Sequence, residues 1–224
     1  MARHLDLEEQ EQLDQLKHFW NQWGNLITWL LIAVFGTFAA WNGWQYWQRT
    51  QAAKASALYE EVERAATAGD LGRVEQGLKD IQDGFGSTTY AQQAGLLAAR
   101  VFHEQGKADA ARAALASVAK DASDDGYEAV ARLRLAGLLA EAKQYDEALA
   151  QLSAGIPGEF QALAADRRGD ILNLQGKKDE AKAEYTRAWQ AFAPETEYRT
   201  LVEVKLTALG VDVQALKAPE SARS

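Results

Sequence analysis

The sequence predicts an all-α chain: an N-terminal single transmembrane helix followed by a solenoid of helical hairpins. Three observations carry that prediction. Proline occurs only at Pro157, Pro194 and Pro219, which leaves long stretches free to be helical, because proline removes a helix donor and clashes with the preceding turn. An apolar run near the start is bordered on both sides by aromatic residues. Beyond it, similar turn sequences recur at nearly constant spacing.

The apolar run comes first. From Leu26 to Trp41 there is no charge, and only Thr28 and Thr37 are polar. Six of the seven tryptophans lie between residues 20 and 47. Trp20 and Trp23 flank one side, and Trp41, Trp44, Tyr46 and Trp47 flank the other. Indole rings favour the headgroup zone, which accepts an apolar ring and an N–H donor together. The span is therefore placed at 23–48, with the lipid bilayer as its partner. A cleaved signal peptide needs a short basic start and small residues just past the run. Here the preceding tail is acidic, and the run leads into Trp41-Asn42-Gly43-Trp44. The segment reads as an uncleaved signal anchor. Basic residues near the two ends are almost balanced, so the positive-inside rule leaves orientation open.

The tail, residues 1–22, carries a net charge of −3, with apolar positions at Leu13, Leu16, Phe19 and Trp20 in helical spacing. Two readings fit it: a solvated extension of the span, or a small docking or degradation handle.

After the span, turns recur at Gly69-Asp70-Leu71, Gly106-Lys107-Ala108, Lys143-Gln144-Tyr145 and Gly176-Lys177-Lys178, with spacings of 37, 37 and 33 residues. A helix-turn-helix repeat near 34 residues resembles the tetratricopeptide pattern. Asp109, Asp146 and Asp179 fall near helix starts, where a carboxylate meets free N–H groups. Ala111, Ala148 and Ala181 let paired helices approach, and Leu115, Leu152 and Tyr185 follow on the same face. The tryptophan that usually opens such units is missing; Arg132 and Ala165 stand there in units three and four. The segment Gly84-Phe85-Gly86 reads as an inter-helix loop. The tetratricopeptide-like domain is expected over 49–210, closed by a capping helix near 195–209, with a flexible C-terminus at 211–224.

Stacked hairpins line a concave face with the first helix of each unit. In this register the partner-binding candidates are Tyr59 and Glu63, then Gln93, Leu96, Arg100 and His103. Val130 and Leu133 follow, and then Leu163, Asp166, Asp170 and Asn173. Their mixture of apolar and charged groups suits a polypeptide segment better than a small molecule. The run Asp166-Arg167-Arg168 with Asp170 reads as a solvated face with pairs three or four residues apart, with a contribution to partner binding as the alternative.

No catalytic site, metal site or cofactor is expected. There is no cysteine, and the three histidines, His4, His18 and His103, have no metal-ligand spacing. The net charge is −8, and an acidic domain repels phosphate backbones, so nucleic acid is not expected as a partner.

Several segments together resemble the YfgM-like ancillary subunits of the bacterial SecYEG translocon. The resemblance rests on Glu11-Gln12-Leu13-Asp14 with Leu16, Lys17, Phe19 and Trp20, and on Gly43-Trp44-Gln45-Tyr46-Trp47. In the domain it rests on Ala129–Ala136 and on Ala165-Asp166-Arg167-Arg168-Gly169-Asp170. It implies a bacterial inner-membrane protein, single-pass, with the N-terminus cytoplasmic and the C-terminal domain periplasmic. It implies association with the SecYEG translocon and with the membrane-anchored periplasmic chaperone PpiD. The implied role is a non-enzymatic adaptor that binds exported polypeptides. The alternative is a structural scaffold subunit of a bacterial envelope complex without client binding.

Overall fold

The computed structural model describes residues 7–217 apart from Ala154. The first residues of the tail and residues 218–224 of the expected flexible end lie outside them. The chain divides into two compact units, residues 1–51 and 52–224.

The helix α1 (Leu7–Thr67) forms the first unit and contributes its last turns to the second, passing unbroken through the expected boundaries at 22/23 and 48/49. No proline interrupts it. It is long and apolar enough to cross a membrane, and its apolar run is almost wholly exposed. A core helix of the same composition would be buried. The six flanking aromatics, Trp20, Trp23, Trp41, Trp44, Tyr46 and Trp47, are all exposed, and Trp44 and Trp47 contact each other with ring centroids 5.2 Å apart. The polar side chains of the run fold back on the helix. Thr28 Oγ1 donates to the Gly24 carbonyl at 2.7 Å, and Thr37 Oγ1 to the Ala33 carbonyl at 2.7 Å. Apolar surroundings offer such hydroxyls no other partner.

The second unit begins with the last turns of α1, which pair with α2 (Leu71–Phe85). Three more hairpins follow: α3 (Thr89–Glu104) with α4 (Ala108–Asp121), α5 (Asp125–Glu141) with α6 (Tyr145–Gln151), and α7 (Gln161–Leu174) with α8 (Lys178–Ala191). A short 3-10 turn, Gly158–Phe160, precedes α7. The unit closes with α9 (Tyr198–Ala208) and α10 (Val213–Lys217). α10 occupies part of the stretch expected to be flexible from 211, and Val213 is buried in it. α2 also runs through Gly84 to Phe85, so the expected loop there is shorter.

One hydrogen-bonded turn is used in all four hairpins. A residue in the left-handed region ends the first helix, and the next N–H reaches back five residues. Lys107 N donates to Phe102 O at 2.7 Å, Gln144 N to Leu139 O at 2.8 Å, and Lys177 N to Leu172 O at 2.9 Å. Gly106 holds φ 72° without strain, whereas Lys143 adopts φ 60° in the same role, a conformation that costs a side-chain-bearing residue free energy. Asp109, Asp146 and Asp179 lie in the first turns of their helices, but the N-cap positions are Lys107, Gln144 and Lys177, without side-chain caps. These carboxylates therefore act on the helix dipole rather than as caps.

The repeat's small positions are fully enclosed: Val74, Ala111, Ala148 and Ala181 have no exposure. Leu115, Leu152 and Tyr185 bury beside them. The helices meet so closely that a Cβ on Gly95 would lie 2.4 Å from Val118 Cγ2. One apolar core runs from Ala55 to Ile171, and a second gathers α8, α9 and α10 around Tyr185, Trp189, Val202 and Leu206.

Candidate functional site: an open cleft and a closed face

Side-chain caps set where two of the first helices begin. The Thr88 hydroxyl accepts from Ala91 N, and the Asp124 carboxylate accepts from Gly126 N and Tyr127 N. Their starts fixed, α3 and α5 present matching faces to a cleft of about 300 Å³, bordered on its far side by Arg167 of α7. Leu96, Leu133 and Leu138 give it an apolar floor, with Ala99 and Leu115 beneath. Arg100, Arg134 and Arg167 line it, together with His103 and Glu141. His103 Nε2 lies 3.9 Å from Glu141 Oε2, linking α3 to α5.

Four of the sequence-derived candidates, Leu96, Arg100, His103 and Leu133, meet in this cleft. Tyr59, Glu63 and Gln93 form a neighbouring polar and aromatic strip. Tyr59 and Tyr90 contact with centroids 6.0 Å apart, and Gln93 Nε2 donates to Tyr127 Oη at 2.7 Å. Burial raises the Tyr59 phenol above its ordinary pKa; Glu63 and Tyr127 add to the rise and Arg100 opposes it. Val130 and Leu163 are half-buried and Asn173 is exposed, and none of the three lines the cleft.

Asp166 and Asp170 are elsewhere. The expected solvated face of α7 is closed by α9. Asp166 is 2% exposed. Lys205 Nζ donates to both Asp166 oxygens at 2.8 and 2.9 Å and to Asp170 Oδ1 at 2.7 Å. Tyr198 Oη donates to Asp166 Oδ2 at 2.8 Å, and Tyr185 Oη to Asp170 Oδ1 at 2.8 Å. Burial, then the bond to Asp166, pushes the Tyr198 phenol up to about 12. Burial and the Asp170 bond raise Tyr185 further. Arg168 is consumed as well, donating to Glu184 at 2.8 Å and to the Leu152 carbonyl at 2.8 Å. These residues join elements of the fold and are not available as an open lining, although Asp170 reaches the edge of a second cleft between α5 and α7.

The lining residues not among the sequence-derived candidates are Ala99, Leu115, Arg134, Gly137, Leu138, Glu141 and Arg167. A signal for three of them was present. Steps of four from Leu133 reach Gly137 and Glu141, and a step of four from Leu163 reaches Arg167. On α7 the lining face is turned by one residue relative to expectation, because α9 covers the Asp166 side.

A long apolar helix followed by stacked hairpins with a shared turn defines a tetratricopeptide-like helical protein. The family model for a tetratricopeptide repeat-like domain matches residues 17–211. The chain is 30% identical over 210 residues to the ancillary SecYEG translocon subunit of Neisseria gonorrhoeae, covering 93% of this chain and 100% of that one. It is 30% identical to the Escherichia coli protein of the same name, covering 82% and 86%. The Aggregatibacter actinomycetemcomitans protein of that name is also 30% identical, covering 81% and 89%. The chain belongs to the family of ancillary SecYEG translocon subunits.

Proposed function

We propose that this chain is a single-pass inner-membrane adaptor of the Sec translocon, with its N-terminus cytoplasmic and its helical domain periplasmic. Residues 23–48 anchor it, and the cleft between α3 and α5 binds segments of exported polypeptides or of a partner chaperone such as PpiD. The observation that carries this reading is the open, leucine-floored cleft, in which four independently expected residues meet. The names of the relatives support a place beside the SecYEG channel. The tetratricopeptide-like fold supports binding rather than catalysis. Anchoring raises the effective concentration of a weak binding domain near emerging chains.

Gly137 offers a test that leaves charge untouched. A Cβ there meets nothing closer than Arg167 Nη1 at 3.9 Å, so Gly137→Leu places bulk in the cleft without disturbing the core. The variant is expected to keep its helix content and to lose co-purification with exported chains and partner chaperone. Undiminished co-purification contradicts the cleft assignment.

A further inference from the structure

The cleft also carries a charge pattern that differs from the rest of the molecule. The whole chain has a net charge of −8, yet three arginines and one glutamate surround the cleft. On the α7 face closed by α9 the cations are held tightly: Lys205 and Arg168 sit within 2.9 Å of carboxylates. Around the cleft they are slack. Arg100 approaches Glu104 only at 3.9 Å, with both side chains more than 60% exposed. Arg167 approaches Asp170 at 4.0 Å. Arg134 is exposed and has no ion pair within 4.0 Å among the described residues. Pairs at these distances and exposures hold little free energy, so the guanidinium groups are available to an incoming partner. Arg167 lies over Gly137, where the missing side chain lets it reach toward the α5 backbone.

Resting on the cleft assignment proposed above, we infer that the preferred occupant is an acidic-apolar polypeptide segment, with carboxylates set beside leucine- or phenylalanine-like side chains. The guanidinium fork matches a carboxylate with two parallel hydrogen bonds. Leu96, Leu133 and Leu138 supply the apolar counterpart. A basic segment meets three arginines against the single lining carboxylate of Glu141. Its affinity suffers accordingly, because like-charge juxtaposition disfavours wrong partners.

The test uses the full-length chain in nanodiscs of uncharged lipid. The probe is a short peptide alternating glutamate with leucine and phenylalanine, carrying an uncharged dye. Twin peptides replace every glutamate by glutamine or by lysine. Fluorescence anisotropy is expected to show the glutamate peptide binding roughly tenfold tighter than the lysine twin. The gap should narrow as salt rises, as screening requires. Arg100→Gln with Arg134→Gln is expected to remove the preference while leaving thermal unfolding unchanged, and Gly137→Leu to abolish binding of the glutamate peptide. Equal binding of all three peptides, each blocked by Gly137→Leu, overturns the charge inference and leaves the adaptor reading standing. A glutamate preference that survives Gly137→Leu overturns the placement of this occupant in the cleft. Absence of binding by every peptide, or self-association of the chain through this cleft, overturns the inference as well.

Discussion

Two faces built from the same kind of helix have opposite fates in this domain. On α3 and α5, the residues facing the cleft stay open: an apolar floor, a missing side chain at Gly137, and arginines with slack partners. On α7, the face carrying Asp166 and Asp170 is sealed by α9, and every charge there has a close partner. A repeat surface becomes a binding site where no later element covers it, and becomes an interior where one does. Charge pairing distinguishes the two. The sealed face has ion pairs and hydrogen bonds near 2.8 Å, and the open face has separations near 4 Å.

The largest expected effect breaks the sealed face. Asp166→Ala leaves Lys205 half-buried with only Asp170 beside it. Removing one partner of a buried pair costs about 3–5 kcal/mol. A urea titration of the detergent-solubilised chain should show a loss near the lower end, with hydrogen exchange rising first in α9. A paired glycine substitution sharpens the contrast. Gly169→Ala places a Cβ 2.6 Å from the Tyr185 ring, and overpacking of this kind costs about 1–3 kcal/mol. Gly137→Ala, in the open cleft, meets only ordinary contacts and gains helix propensity. It should stabilise by up to about 1 kcal/mol.

Lys143→Gly should raise stability by about 0.5–1 kcal/mol, since glycine takes the left-handed turn that lysine holds at φ 60°. Arg134→Glu should leave stability within about 0.5 kcal/mol, measured in the same titration, because nothing in the fold leans on that guanidinium. Alkali offers the mildest probe of the sealed face. The folded state keeps Tyr198 protonated to about 12, above the ordinary phenol value near 10. Its contribution is complete below the unfolded pKa and disappears as pH rises through the folded one. Cap docking, followed by exchange in α9, should therefore be flat from neutrality to pH 9 and weaken between about pH 10 and 12.

Much of this architecture was legible in the residue pattern, for physical reasons. The turns at Gly69, Gly106, Lys143 and Gly176 recur because each must end one helix and start another within a few residues. The enclosed Ala111, Ala148 and Ala181 recur because paired helices need a small contact. The aromatic borders of the apolar run announce themselves by composition. The rotational phase of α7 was not legible. Which of its faces lies inside depends on where α9 docks, and that depends on Lys205, thirty-five residues beyond Asp170. Spacing from Leu133 puts position 137 on the lining face, but the gap there was not legible: a glycine in a helical pattern signals a close neighbour or a gap, and only the packing decides which.

The central claim is that polypeptide enters the α3–α5 cleft while the far side of the last hairpin stays bare. A photo-crosslinking residue placed at Arg134 in intact membranes, and separately at exposed Gln190 on α8, tests it most directly. Abundant adducts with translocating chains from position 134, with few from 190, is the predicted result. Adducts of equal yield from both positions, or from 190 alone, would contradict it.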